Sequence, residues 1–310
     1  GSQASPATPA TAPRSVPTAV HFAAQGGEAI GKPRQLWNIC AMSWRPPRTH
    51  RNLPDPVTSY AVLGERNSGT NYVDALLAAN LPAGIPASDV YCWKHGFIDR
   101  RVAATGGLLT VVVYRHPVRW LQSLHNKPME LSARMQGLSF GDFIRHEWQG
   151  AFARPDGEEP STADMDPKAR TNYPNALRLR AAKIAYLEEM AEMPGRVAFL
   201  RFEDANRDPR ATLDALGRAF DLPLAPFTPV QAFKGSSRRS YAPRLMPAPG
   251  ARDLAFIRDE LDENLEARIG YCPERPPRFD GLAPWDRRAL RAALKSLRPG
   301  SGGTARRAKG

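Results

Sequence analysis

The sequence predicts an α/β fold, a three-layer sandwich with a central parallel sheet. Three observations predict it. Short apolar runs alternate with helical patterns over most of the chain, as in parallel sheets whose strands are linked by helices. A glycine-containing loop joins the first run to the first helix, which predicts a phosphate-binding strand–loop–helix. The third observation excludes a membrane-embedded fold, because no run approaches the roughly 20 apolar residues of a membrane-spanning helix.

The elements follow from the spacing of apolar residues. The predicted strands are the short apolar runs at residues 60–63, 90–93, 108–114 and 197–202. The predicted helices are residues 70–80, 117–126, 139–149, 175–193, 208–220 and 252–268. Pro117 and Pro209 suit first-turn positions, where the missing N–H has no cost.

Composition divides the chain into three segments. Residues 1–57 hold nine of the 30 prolines, which predicts an extended stem or linker. Residues 58–282 carry the alternating pattern and are predicted to form one folded domain. Residues 283–310 have eight basic residues and one acidic residue, which accounts for +7 of the net charge of +12. They predict a short helix and a disordered, solvated tail, with an acidic polymer or a membrane surface as the alternative partner.

The three cysteines are Cys40, Cys92 and Cys272, and no two of them lie close together in the sequence. This spacing excludes a disulfide-dense miniprotein and a CxxC zinc or redox site. One disulfide and one free thiol remain open.

The most informative segment is GERNSGTNY, residues 64–72, between the first predicted strand and helix. Backbone N–H groups of such a turn and the start of the following helix can bind a phosphate. Gly64 and Gly69 have the spacing of the GxxxxGK[ST] nucleotide loop, but Thr70 occupies the position of its lysine. This difference argues against a kinase or ATPase. A purely structural connection is the alternative.

Two later segments have a similar character. In VVVYRHPVRWLQSLH, residues 111–125, Arg115 ends a predicted strand and Ser123 follows two turns into the next helix. A guanidinium and a hydroxyl in these positions could hold one phosphate. The segment AFKGSSRRSY, residues 232–241, is a basic loop that could close over a bound anion or could simply be solvated.

In this order, the motifs resemble sulfotransferases that use 3′-phosphoadenosine 5′-phosphosulfate (PAPS). The resemblance covers residues 60–241 and includes VAFLRFEDANRDP, residues 197–209, which is similar to that family's strand and Tyr-Glu-Asp turn. It implies that residues 58–282 are a catalytic domain, that PAPS is the donor and that no metal is needed. The implied contacts to the 5′-phosphosulfate are Arg66, Asn67, Ser68, Gly69, Thr70 and Asn71.

The resemblance also assigns the rest of the donor. Tyr72 falls where cytosolic members carry a tryptophan that stacks on adenine. Arg115 and Ser123 would hold the 3′-phosphate, joined by Lys234 and the backbone of Gly235.

The chain departs from the family pattern at three positions. Asn67 replaces the lysine before Ser-Gly-Thr, Phe233 replaces an arginine before the Lys-Gly pair, and Phe202 stands where many members have tyrosine. These changes affect the clamp on the bridging oxygen and the 3′-phosphate site.

The segment YCWKHGF, residues 91–97, resembles the Lys-x-His segment of cytosolic sulfotransferases, although Lys94 and His95 are adjacent here. His95 is the predicted general base, because an imidazole can accept a proton near neutral pH. Lys94 is the predicted contact to the phosphosulfate. A carboxylate serves as base in Golgi-type members, so Asp99 is the substitute, with Glu65 and Asp74 as weaker alternatives.

The resulting function is transfer of a sulfuryl group to a hydroxyl or amine, with a glycan as one possible acceptor. Two alternatives remain: a phosphate-loop kinase of a small molecule, and a nucleotide- or polyanion-binding module without turnover. The acceptor pocket is expected in the loops at residues 127–141 and 150–173.

The helix predicted at residues 175–193 carries three cations, Arg178, Arg180 and Lys183. They are interpreted as a solvated face of the helix, with contact to an anionic acceptor as the alternative. The large aromatic residues Trp93, Trp120 and Trp148 are expected in the core.

The compartment stays open. A proline-rich stem before a catalytic domain resembles a trimmed type II Golgi enzyme, whereas high Ala, Arg and Pro content fits a bacterial cytoplasmic enzyme. No specific nucleic-acid partner is expected, and membrane contact is expected only through an anchor outside this sequence.

Overall fold

A computed structural model of the protein describes residues 44–155, 157–230 and 248–271, together with the backbone of 232–233 and 236–240. The strands are β1 (Arg48–Arg51), β2 (Ser59–Leu63), β3 (Leu108–Tyr114), β4 (Ala151–Arg154), β5 (Gly157–Pro160), β6 (Arg196–Arg201), β7 (Ala232–Phe233) and β8 (Ser236–Ser240). The α-helices are α1 (Thr70–Asn80), α2 (Pro117–Asn126), α3 (Ala133–Gln136), α4 (Phe140–Phe143), α5 (Ala176–Glu188), α6 (Phe202–Arg207), α7 (Pro209–Phe220), α8 (Ala251–Glu260) and α9 (Glu263–Arg268).

The fold is mixed α/β with a central, mostly parallel sheet. The strand order is β1-β6-β3-β2, in which β2, β3 and β6 are parallel and β1 runs antiparallel to β6. Leu63 pairs with Val112, and Tyr114 pairs with Arg201. The segments that follow β2, β3 and β6 therefore leave the sheet at one edge, where ligands bind in open α/β sheets.

The strands alternate between two buried faces. Val62, Val111 and Leu200 pack with residues of α1 and α7, whereas Leu63, Val112 and Phe199 pack with residues of α5. All seven residues of β3 are buried, as expected for a central strand covered on both sides. A further apolar cluster joins α2, α3, α4, α5 and α8.

The predicted strands at 60–63, 108–114 and 197–202 are confirmed within one residue at each end, although Phe202 begins α6. The strand predicted at 90–93 is wrong. This segment is a turn in which Val90 is 42% exposed and Cys92 has a φ of 56°. Its apolar residues had suggested a buried strand.

Among the helices, 70–80, 117–126 and 208–220 are confirmed, and 175–193 is α5 followed by a 3₁₀ turn. The helix predicted at 139–149 is wrong beyond its first turn, because only α4 forms there. The helix predicted at 252–268 is divided into α8 and α9 at Leu261 and Asp262, and Asp262 caps α9.

Strand β1 lies within residues 1–57, which the sequence assigns to the stem. It pairs with β6 over four residues. Within the described part of the chain, no helix has the length and hydropathy needed to cross a membrane. Cys92 is an exposed free thiol, and the predicted tail at 283–310 lies outside the described residues.

Candidate functional site

The loop between β2 and α1 has an unusual backbone. φ is positive at Gly64 (152°), Asn67 (60°) and Gly69 (106°). Glycine is required at position 69, because a Cβ there would lie 2.2 Å from Cδ2 of Phe202. Helix α1 then begins at Thr70 without a side-chain cap and without an acidic residue in its first turn. The N–H groups of its first two residues, Thr70 and Asn71, have no acceptor inside the helix and lie at the positive end of the helix dipole.

Ser68 lies at the centre of this bend. Its side chain is fully buried, and Oγ has no hydrogen-bond partner among the described residues. A buried hydroxyl in this state is costly until an acceptor or donor reaches it. Thr70 is buried nearby, and Asn71 is exposed on the first turn of α1. The loop therefore combines a strongly bent, glycine-containing backbone with a hydroxyl that has no partner among the described residues.

Arg115 reaches this loop from the end of β3. Its Nη1 donates a hydrogen bond of 2.8 Å to the carbonyl oxygen of Asn67. Its guanidinium carbon also lies 4.9 Å from the ring centre of Phe202. Ser123 is partly exposed on α2. The β3 end and the loop are thus in direct contact.

Arg119, which the sequence analysis missed, lies four residues before Ser123 on α2. These positions share one face of the helix. Burial lowers the pKa of Arg119, and the positive charge of Arg115 lowers it further. Two guanidinium groups therefore lie close together beside the end of β3. The helical spacing of Arg119 and Ser123 was the available sequence signal.

Lys94 and His95 approach the other side of the loop. The Gly64 N–H donates to the carbonyl oxygen of Lys94 at 3.1 Å, and Nδ1 of His95 lies 2.7 Å from the carbonyl oxygen of Gly64. The Lys94 ammonium donates to Oδ1 of Asn71 at 2.7 Å. The segment that contains both predicted catalytic residues is therefore fixed to the loop by backbone and side-chain hydrogen bonds.

The contact with Gly64 determines the tautomer of His95. A carbonyl oxygen can only accept, so Nδ1 carries the proton and Nε2 of the neutral ring is the proton acceptor. Burial lowers the pKa of His95 to about 4, against the opposing effect of the Gly64 hydrogen bond. The positive charges of Lys94, Arg66 and Lys183 lower it as well. The imidazole is therefore neutral at pH 7.

The side chain of Arg66, a residue of the loop, is buried. It pairs with Asp164 through Nη1 and with Glu130 through Nε at 3.1 Å, and it stacks on the ring of Trp93. Asp164 also pairs with Lys183. Burial opposes the charge of Asp164, but the cations of Lys183 and Arg66 hold its pKa below the usual range. Arg66 is engaged in this buried cluster, and Lys94 is the cation that contacts the exposed start of α1.

Two of the three cations on α5 have a structural role. Lys183 donates to the carbonyl oxygen of His95 at 2.6 Å. Arg180 is fully buried and donates to Glu65 at 2.7 Å and to the carbonyl oxygen of Arg115 at 3.0 Å. The expectation of a solvated face is wrong for Arg180 and Lys183. They tie α5 to the loop and to the segments on both of its sides.

The third cation of α5, Arg178, is exposed and pairs with Glu260. Trp120 and Trp148 are buried as expected, whereas Trp93 is partly exposed.

The alternative bases occupy other environments. Asp99 is exposed, and its pKa is lowered to about 2 by hydrogen bonds from the Arg101 side chain and backbone. Glu65 is buried in the ion pair with Arg180. Asp74 lies in the second turn of α1, where its backbone carbonyl accepts from Tyr60 at 3.4 Å. His95 differs from these carboxylates because its ring is neutral at pH 7 and contacts the loop through Gly64.

Tyr72 is half-buried, and its ring packs edge-on against Phe202 at 5.7 Å. Lys234 and Gly235 lie outside the described residues. Among the described residues, no group of three or more His, Cys, Asp or Glu side chains is arranged to hold a metal ion.

Comparison with known proteins adds no relative. No protein-family model matches the chain, and neither the curated proteins nor the solved structures compared with it give a match.

Proposed function

We propose that the protein is a sulfotransferase that moves a sulfuryl group from PAPS to a hydroxyl or amine acceptor. The proposal rests on the resemblance of four ordered motifs and on one structural observation. Lys94 contacts Asn71, His95 contacts Gly64, and Arg115 contacts Asn67. The two residues of each pair are 23, 31 and 48 positions apart in the sequence, and all three contacts are made at the same short loop.

The loop has the properties of a phosphate site. Its glycines allow close backbone approach, no side chain caps the start of α1, and the Ser68 hydroxyl lacks a partner among the described residues. These features fit the 5′-phosphosulfate of the donor. Arg115, Arg119 and Ser123 supply cations and a hydroxyl for its 3′-phosphate.

The fold proposal is that the parallel sheet and the helices on its two faces form a three-layer sandwich. In such a fold, the β2–loop–α1 unit is a phosphate-binding strand–loop–helix. Its position at the carboxyl edge of the sheet supports this assignment.

The chemistry assigns one task to each group. PAPS supplies the sulfuryl group: the acceptor oxygen or nitrogen bonds to sulfur as the bond from sulfur to the phosphate oxygen breaks. Nε2 of His95 takes the acceptor's proton. Lys94 and the N–H groups of α1 stabilise the charge left on the phosphate. The ion pairs of Arg66 with Asp164 and Glu130 hold the loop in place.

The pKa of His95 fits this role when the donor is bound. A base with a pKa of about 4 is weak at pH 7. Burial and three nearby cations cause that value, and the negative charges of a bound donor offset the effect of the cations. We therefore expect donor binding to raise the pKa of His95 toward neutrality.

Turnover tests the proposal with radiolabelled PAPS and a panel of phenols, alcohols, amines and glycans. We expect sulfuryl transfer by the full chain. His95→Asn is the sharpest variant, because the asparagine amide can replace Nδ1 as the donor to Gly64 while Nε2 is lost. It should lower kcat by about 10²- to 10⁴-fold with little change in affinity for adenosine 3′,5′-bisphosphate. His146→Asn, at a histidine that hydrogen-bonds only locally to Glu147, is the matched control.

Two results would contradict the proposal. Phosphoryl transfer from ATP in place of sulfuryl transfer would make the protein a kinase. Tight nucleotide binding without transfer to any acceptor would make it a binding module.

A further result bears on the mechanism alone. Near-normal turnover in both His95→Asn and Lys94→Ala would remove residues 91–97 from the mechanism.

A further inference from the structure

A groove of about 800 Å³ lies between two exposed segments. Residues 126–131 form one side, and residues 151–154 with Glu158, from the β4–β5 hairpin, form the other. These segments fall within the two loops that the sequence predicts for the acceptor. The volume is within the range of small-molecule sites.

Residues that line the groove contact residues of the candidate site. Nδ2 of Asn67 donates to the carbonyl oxygen of Lys127 at 3.2 Å. On the other side, the ring of Phe152 lies 6.0 Å from that of Trp93, and Trp93 lies 5.2 Å from His95. An occupant of the groove therefore lies beside residues that contact both the loop and the proposed base.

Apolar and aromatic groups provide much of the lining. Met129 is 45% exposed, which is unusual among the large apolar side chains of the described residues, and it lies beside Pro128. Phe152 is partly exposed on the opposite side. Flat apolar surfaces of this kind bind rings and other apolar faces of a ligand.

The charge of the groove is unlike that of the whole chain. Its lining contains Lys127 and Arg154 against Glu130 and Glu158, so the cations and carboxylates balance. The sequence of the hairpin segment, residues 151–160, has one arginine and three acidic residues, although the chain has a net charge of +12. Polyanion sites have an excess of cations, which this groove lacks.

From these observations we propose that the groove binds the acceptor and that the acceptor is an uncharged hydroxyl compound with a flat apolar face. This inference rests on the proposed sulfotransferase function. It disfavours the alternative of an anionic acceptor, such as a sulfated or uronic-acid polymer, since each added anionic group would meet the carboxylates of Glu130 and Glu158.

Direct binding to the full chain tests the inference without turnover. The probes are 2-naphthol and 6-hydroxy-2-naphthoate, which share a ring and a hydroxyl but differ by one carboxylate. We expect 2-naphthol to bind about tenfold or more tightly than the carboxylate in calorimetry at low salt. Phe152→Ala should weaken 2-naphthol binding by about tenfold. Glu158→Gln should reduce the ratio of the affinity for 2-naphthol to the affinity for 6-hydroxy-2-naphthoate. Glu192→Gln, at an exposed glutamate outside the groove, should leave this ratio unchanged.

Equal or tighter binding of the carboxylate would overturn the inference, as would unchanged 2-naphthol binding in Phe152→Ala. Both measurements are made without nucleotide. Their failure would therefore leave the donor assignment standing if adenosine 3′,5′-bisphosphate still binds. Failure of nucleotide binding alone would remove the proposed function but not the specificity of the groove.

Discussion

His95 shows how contacts at a single residue fix the tautomer and the charge of an imidazole. The Gly64 carbonyl fixes the tautomer, Lys183 holds the backbone of His95, and Trp93 packs edge-on against the ring. Burial and nearby cations keep the ring neutral. The side chain is therefore oriented and uncharged before any ligand binds.

The lowered pKa of His95 has a consequence for stability. In the unfolded chain, a histidine gains its proton near pH 6.5, whereas the folded protein resists protonation until about pH 4. The unfolded state binds more protons in this window, so the free energy of unfolding falls as the pH falls through it. Between pH 7 and 4.5, we expect His95 to account for a loss of about 2 to 3 kcal/mol.

Urea unfolding at these two pH values checks this prediction. His95→Asn should lose about 2 to 3 kcal/mol less than the unmodified protein on acidification, whereas His146→Asn should follow the unmodified protein. Parallel losses in the unmodified protein and in His95→Asn would mean that His95 is not buried in the way described.

Arg180 and Lys183 show why part of the site could not be predicted from the sequence. Both lie on a helix rich in Ala and Leu, where cations are usually solvated. Their carboxylate partners, Glu65, Glu266 and Asp164, come from loops and a helix that are 19 to 115 residues away. Pairings at that separation leave no local pattern. The connection between β2 and α1, in contrast, could be predicted because Gly64, Ser68, Gly69 and Thr70 lie within seven consecutive residues.

At the scale of elements, regular patterns were predictable and interrupted ones were not. The strand at Leu108–Tyr114 and the helices at Thr70–Asn80 and Pro117–Asn126 form with the predicted bounds, because their apolar spacing is uninterrupted. The helix predicted at 139–149 ends early, although Phe143, Ile144 and Trp148 are all buried. The apolar spacing there reflects burial in the apolar cluster that joins α2, α3, α4, α5 and α8, and not a continuous helix.

The junction of β2 and α1 gives a prediction at this scale. Gly69→Ala would place a Cβ 2.2 Å from Phe202 at a φ of 106°. Gly84 is the matched control, because a Cβ there meets no atom within 4 Å. We expect Gly69→Ala to lower the free energy of unfolding by about 2 to 4 kcal/mol and Gly84→Ala to change it by about 0.5 kcal/mol or less.

Chemical denaturation of the two alanine variants measures this difference. Gly69→Ala should also weaken binding of adenosine 3′,5′-bisphosphate, since the loop and the start of α1 would shift. Equal stability of both variants would show that the approach of Phe202 to the loop is not tight.

At the scale of the whole molecule, the charge is divided by position. Of the net +12, +7 belongs to residues 283–310, which lie outside the described residues. Several arginines of the described part form buried ion pairs, so they add little to a basic surface. Overall charge is therefore a poor guide to the partner, and the local balance at the loop and in the groove is more informative.

The central claim is that the edge of the sheet between Gly64 and Arg115 binds a nucleotide with both a 5′- and a 3′-phosphate. The most direct measurement is a calorimetric titration of the full chain with adenosine 3′,5′-bisphosphate and with AMP. Because Arg115, Arg119 and Ser123 are assigned to the 3′-phosphate, the bisphosphate should bind at least about tenfold more tightly. Arg115→Ala should remove most of that preference, whereas Arg101→Ala, at an exposed arginine paired with Asp99, should keep it. Equal affinity for the two nucleotides, or a preference that survives Arg115→Ala, would contradict the account.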